Sequence, residues 1–249
     1  VGEEFVLPLG VIQGGGTQKS IVLNPMTAGI RRKLLSRSNQ KNPSAGMTTM
    51  MCECCESIGG AQPTPQVLNS ISIGDRDFIL LMIRKISLGN ILNAQLNCPR
   101  CQQDIVFDLD IDQMNIRSLE IGKDFTVEGT YAFVELDNEE LGLKIVLRLP
   151  VGFDQAAVSD QMRTDPVLAN YELYARLIKS WTKNGTPVEN PNSVKFLDSL
   201  PLKEIEWLEN AFRSTMPGPD WYVNVTCEIC GRKSMLDLSD TDFLFKTPR

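Results

Sequence analysis

At 249 residues the chain can bury a sizeable core, as one elaborated domain or two small ones. Hydrophobic residues make up 42% and charged residues 22%, an ordinary globular balance. The net charge of −6 and pI near 4.9 count against general nucleic-acid binding, which calls for a basic surface. There is no histidine. That removes Ser-His-Asp and Cys-His catalysis, histidine proton shuttles and every His-containing metal site. A zinc ion would have to be held by cysteine, alone or with carboxylates. The seven cysteines cannot all pair with one another. No N-terminal stretch has a signal-peptide layout, and the longest apolar run, Phe78 to Ile83, is far shorter than the roughly 20 residues of a membrane span. The expectation is a reducing, cytoplasmic origin with thiols free or on metal.

In chain order, residues 1–26 read as a β arm. Phe5-Val6-Leu7-Pro8-Leu9 and Ile21-Val22-Leu23 flank Gly14-Gly15-Gly16, which suggests a hairpin or loop. Residues 27–90 read as helical. Thr27 is a candidate N-cap, Asn42-Pro43-Ser44 a break, and a second helix is expected from Met47 to Ile58, stopping at Gly59-Gly60. Gln62-Pro63-Thr64-Pro65 reads as a loop. Residues 75–88 are the clearest helix, with Asp75 and Asp77 toward the positive end of its dipole, Arg84 and Lys85 near the last turn, and Gly89 as the stop. Six consecutive apolar residues, Phe78 to Ile83, exceed one amphipathic stripe and predict burial on more than one side.

Short segments rich in Ile, Val, Leu, Phe and Tyr predict strands at 91–96, 105–109, 125–127, 131–136 and 143–149. Helical spacing returns over 153–162, 167–181 and 202–212, and Trp221 to Thr226 reads as strand again. Asp104, Asp108, Asp110 and Asp112 alternate with apolar residues, as on the wet face of a strand. Gly14-Gly15-Gly16 lacks the Gly-Lys-Ser/Thr ending of a phosphate loop.

Two Cys-x-x-Cys pairs carry the chemistry. Cys98-Pro99-Arg100-Cys101 precedes Ile105-Val106-Phe107-Asp108-Leu109, and Cys227-Glu228-Ile229-Cys230 precedes Ser234-Met235-Leu236-Asp237-Leu238. An Asp-Leu pair follows the second cysteine at the same interval in both. Two residues between cysteines let a tight turn aim both sulfurs at one point, and two such knuckles supply the four ligands of tetrahedral zinc. Cys98, Cys101, Cys227 and Cys230 are therefore the candidate metal ligands, and a closed four-cysteine set makes the ion structural. Buried thiols or two disulfides are the bland alternative. Thioredoxin-type redox chemistry is disfavoured because neither pair opens a helix after a parallel strand. Cys52, Cys54 and Cys55 read as small apolar packing with no fourth ligand nearby.

The expected fold class is α+β: a four-cysteine zinc ribbon made of two distant knuckle hairpins, with a helical N-terminal section and a β-then-helical insertion. The expected organisation is a β arm (1–26), a helical section (27–90), the split ribbon (91–112 with 220–240), a β section (113–150), a second helical section (151–219) and a tail (241–249). More than a hundred residues separate the ribbon halves.

One ordered series of motifs carries a resemblance. Asn24-Pro25-Met26-Thr27 is followed by Arg32-Lys33-Leu34-Leu35, Ile58-Gly59, Asp75-Arg76-Asp77-Phe78, Ile86-Ser87-Leu88-Gly89, the Cys98 knuckle and Leu147-Arg148-Leu149-Pro150. Over residues 20–150, and more loosely at the terminal knuckle, this resembles the baseplate and baseplate-hub assembly proteins of T-even-type contractile phage tails and related contractile injection particles. Residues 151–216 lie outside it. The resemblance implies a non-enzymatic structural or assembly role in a virion tail or tail-like particle put together in a bacterial cytoplasm. It implies other baseplate or tail proteins as partners, and no small-molecule substrate. Phe5 to Leu9 and Phe243-Leu244-Phe245 are candidate partner contacts. A zinc-ribbon nucleic-acid-binding or adaptor protein is the alternative, weakened by the few basic residues at the knuckles (Arg100, Arg232, Lys233).

Overall fold

The computed structural model describes residues 2–34 and 43–238. The chain opens on a hairpin of β1 (Glu3–Gln13) and β2 (Gly16–Leu23), in which Gln13 pairs with Gly16 across a two-residue turn. Gly14 and Gly15 take φ of +60° and +78°, as a turn matched to strand twist demands. β3 (Cys55–Ile58) adds to the β2 edge, giving the order β1-β2-β3. Thr27 caps α1 (Ala28–Leu34) by accepting from the N–H of Ile30 at 3.3 Å.

The expected helix over 47–58 is corrected. Helix α2 (Pro43–Cys54) ends at Cys54 and the chain turns directly into β3. The open edge of β2 decides this, because Ile21 pairs with Ile58 and Leu23 with Cys55. The loop expected at 62–65 ends in a cap, where Thr64 accepts from the N–H of Val67 and starts α3 (Pro65–Ser70).

Helix α4 (Ile73–Leu88) begins two residues before the predicted start, and Ser72 is its N-cap. Asp75 lies in its first turn and Asp77 does not, correcting the expectation that both meet the helix end. Phe78 to Ile83 are all buried, as the unbroken apolar run predicts. α4 runs through a first core built with Leu7, Ile21, Leu23, Met50, Met51, Ile58 and Leu68. Leu7 and Leu9 of the N-terminal apolar run are thus spent on the chain's own body, while Phe243 to Phe245 lie outside the described residues.

A second core lies under a five-stranded antiparallel sheet, ordered β11-β10-β9-β8-β7. Its strands are β7 (Thr126–Glu128), β8 (Tyr131–Asn138), β9 (Leu143–Arg148), β10 (Ile178–Lys183) and β11 (Thr186–Pro187). Helix α5 (Gly152–Thr164) packs on α6 (Pro166–Leu177) and on the helices of the first core, while α6, α7 (Val194–Asp198) and α8 (Leu202–Thr215) complete this part. Val134, Leu136, Ile145, Leu147 and Trp181 pack with Leu197, Ile205, Leu208 and Phe212.

The predicted helix over 167–181 stops at Leu177, and Ile178 starts a strand. A register shift between Ile178 and Ser180 brings both Ile178 and Trp181 to the buried face. Apolar residues three apart in a bulged strand imitate helical spacing, which explains the misreading.

Two short strands form a neck where the chain enters and leaves the second core. β6 (Ile116–Arg117) pairs with β12 (Gly218–Pro219), and the N–H of Asp220 donates to Asn115 O at 2.8 Å. The two cores are joined elsewhere too. Ile73 N–H donates to Pro150 O at 3.0 Å, Gly152 N–H to Ile71 O at 3.2 Å, and Leu119 N–H to Pro8 O at 3.0 Å.

Three charged residues of α4 act inside this body. Asp75, fully buried, accepts from the N–H groups of Leu9 (2.9 Å) and Gly10 (3.0 Å) and from the Ser72 hydroxyl (2.9 Å). Those two N–H groups lie where β1 loses register with β2, so the carboxylate replaces a missing strand partner. Burial raises its pKa, and the donated hydrogen bonds oppose the rise. Arg76 donates to Leu68 O, Asn69, Thr48 and Gln155, joining α2, α3 and α5. Arg84 donates to the carbonyls of Gly89 and Ile91, covering acceptors at the helix end.

Candidate metal centre

The two Cys-x-x-Cys sequences fall at the turns of two hairpins. β4 (Ile91–Asn97) pairs with β5 (Asp104–Asp110), closing on Asn97 opposite Asp104. β13 (Tyr222–Thr226) pairs with β14 (Lys233–Asp237), closing on Thr226 opposite Lys233. Each turn spans six residues with the same hydrogen bonds. In the first, Cys98 N–H donates to Gln103 O at 2.8 Å and Gln102 N–H to Cys98 O at 2.9 Å. In the second, Cys227 N–H donates to Arg232 O at 2.9 Å and Gly231 N–H to Cys227 O at 2.8 Å. The fifth residue of each turn is left-handed, Gln102 at φ +61° and Gly231 at φ +68°.

The tips of the hairpins meet. The Sγ atoms of Cys98, Cys101, Cys227 and Cys230 all lie within 4.8 Å of one another. Cys98 Sγ is 3.6 Å from Cys230 Sγ, and Cys101 Sγ is 3.7 Å from Cys227 Sγ. A disulfide needs about 2.05 Å, so these are four separate thiols. Four sulfurs at about 2.3 Å from a tetrahedral centre stand about 3.8 Å apart, which is close to both distances. The donor set therefore fits a metal ion.

The close thiols of the cluster perturb one another's acidity in opposite directions. Backbone N–H groups of Cys101 and Arg100 pull the Cys98 thiol down to about 6. Cys101 moves up despite the N–H of Gln103, because burial and hydrogen bonds to its three sister sulfurs favour the protonated form. Thiolates this close repel one another, and a cation at the centre removes that conflict.

A family profile described as T4 bacteriophage base plate protein matches residues 13–246. The chain belongs to this family. No curated protein and no solved structure matches it. The baseplate match spans the 151–216 segment that the sequence motifs left uncovered, and both knuckles lie inside it.

Membership in the T4 base plate family makes the chain a phage baseplate protein, with other baseplate or tail proteins as its partners. Among the described residues, no helix is long and apolar enough to cross a membrane.

The remaining cysteines take another course in this baseplate chain. Cys54 and Cys55 are buried in the first core, and burial first of all pushes them up to about 11 and about 12. Cys55 Sγ contacts Ser57 O at 3.3 Å. Cys52 is raised as well, again chiefly by burial. Protonated thiols in an apolar setting are fillers, not nucleophiles.

Sequence reasoning missed two features that place the site. Gln102 carries no glycine signal, although its counterpart Gly231 does; the matched Asp108-Leu109 and Asp237-Leu238 pairs were the available hint that the knuckles share one backbone. The roots of the ribbon were also hidden. Trp221 Nε1 donates to Asp77 at 3.3 Å, Leu238 N–H to Trp221 O at 2.9 Å, and Lys85 pairs with Asp112.

Proposed function

We propose that the protein is a non-enzymatic structural or assembly component of the baseplate of a contractile phage tail or a tail-like injection particle. One structural zinc is held by Cys98, Cys101, Cys227 and Cys230. The supporting observation is the meeting of four thiols from two distant stretches of the sequence, at tetrahedral spacing, in a chain of the T4 base plate family. Four thiolates fill the coordination shell, leaving no position for a substrate, so the ion stabilises and does not react. Among the described residues the ribbon comprises 91–112 and 220–238, and the insertion between its halves forms the β and helical sections.

Tetrahedral sulfur sites take zinc or iron, and the two are distinguished directly. The test is metal analysis of the purified chain with its visible spectrum. One zinc per chain and no visible absorption is expected. Cobalt substitution should give the d–d bands of a tetrahedral thiolate site, lost in Cys98→Ser. Stoichiometric iron would replace zinc in the reading, and a chain that takes up neither metal would overturn it.

A further inference from the structure

Among the described residues, the two hairpins of the ribbon meet through little besides their sulfurs. Their shared apolar cluster is Cys98, Ile105 and Cys227, with Cys101, Phe107 and Cys230 packed on it. Four of those six residues are the cysteines themselves. An isolated two-stranded hairpin is marginal in water, so these arms have few means of holding each other.

The opposite ends of the arms are rooted differently. Leu92, Ile111, Trp221 and Leu238 are buried in the first core, and Ile111 N–H donates to Asn90 O at 2.8 Å. Beyond the roots, the neck and the bonds linking Ile73 to Pro150, Gly152 to Ile71 and Leu119 to Pro8 tie the two cores together with no contribution from the thiols.

This arrangement changes what the metal closes. Cys101 and Cys227 are 126 positions apart in sequence. With the neck formed, only the stretches from Cys101 to Ile116 and from Pro219 to Cys227 are left to close, about 23 residues. The large loop is already shut by metal-free contacts.

Building on the metal reading above, we infer that the ion is a local switch: it orders the ribbon arms, 91–110 and 222–237, while the body made of the two cores folds without it. Metal loading thereby controls how the ribbon presents its outward side chains. Val106, Ile229 and Met235 are 68%, 68% and 63% exposed, and Val106 and Met235 occupy equivalent positions in the two hairpins. Loss of the ion removes that surface and spares the rest of the protein.

Amide hydrogen exchange on the full chain tests this, measured zinc-loaded, after EDTA treatment and after zinc is restored. Peptides covering 91–110 and 222–237 should exchange at least tenfold faster without metal and recover with it. Peptides from α4, β8, β9 and α8 should change less than twofold. Cys230→Ser should give the same regional pattern with no chelator. Zinc uptake followed by loss of protection throughout both cores would overturn the inference and leave the metal reading standing. Zinc uptake with an unchanged ribbon on removal would overturn it equally. A chain that binds neither zinc nor iron would take both readings down.

Discussion

The two knuckles share a backbone but not a residue at its most demanding point, and this yields a test of opposite signs. Gln102 and Gly231 both sit in the left-handed region. A side chain there costs about 1–2 kcal/mol. Replacing glycine with alanine also restricts the unfolded chain, which returns about 0.4–1 kcal/mol. A Cβ added at Gly231 would meet no atom within 4 Å, so sterics do not contribute and φ alone sets the sign. Gly231→Ala should therefore weaken the loaded ribbon by about 1 kcal/mol, roughly a fivefold loss in zinc affinity. Gln102→Gly should do the reverse, strengthening it by about 0.5–1 kcal/mol. Gly231→Asn should fall between, since asparagine tolerates this conformation better than alanine. Competition for zinc against a chromophoric chelator reads all three. Equal affinities for Gly231→Ala and the parent, or a loss in Gln102→Gly, would refute the shared-frame reasoning.

Two further predictions concern α4. Asp77 is pushed up to about 7, chiefly by burial, with the Trp221 indole N–H and Arg76 pulling it back. Between the ordinary value and about 7 the folded chain holds a proton that the unfolded chain has released, so this group makes stability fall as pH rises through that window. Asp77→Asn should gain on the parent as pH climbs from about 4 to about 7 and hold that gain above it; parallel urea midpoints at pH 5 and pH 8 would contradict the assignment. Asp75→Ala leaves the N–H groups of Leu9 and Gly10 without their acceptor in a buried setting, and should cost about 3 kcal/mol or more, read as a lowered urea midpoint. A near-neutral result would mean that the bend in β1 is held by something else.

Local chemistry was legible wherever one segment decided its own structure. The Gly14-Gly15 turn, the Thr27 cap, the buried run of α4 and both knuckle hairpins follow from propensity, capping and spacing within a few residues. The absence of histidine likewise narrowed the donor chemistry to thiols and carboxylates. The four cysteines were legible as a candidate set because two matched motifs with no histidine leave few other donors.

Errors came where a segment's structure depended on a distant edge. Residues 55–58 and 178–183 have helix-compatible spacing, and they became strands because β2 and β9 offered unpaired backbone groups. Asp75 lies in the first turn as its helix-dipole reading expected, but it is also the acceptor for a bend in β1, 66 positions away, which no local pattern announced. Gln102 takes a left-handed conformation that its side chain does not favour, because the knuckle imposes it. By itself the sequence determined the candidate thiol set and the two local turns that present it. Only the tertiary structure decided that the thiols meet, that a neck of β6 and β12 bridges the long loop between them, and which edges turned helical spacing into strand. Hydrogen-bond partners and loop closure belong to pairs of segments, and no single stretch of chain specifies them.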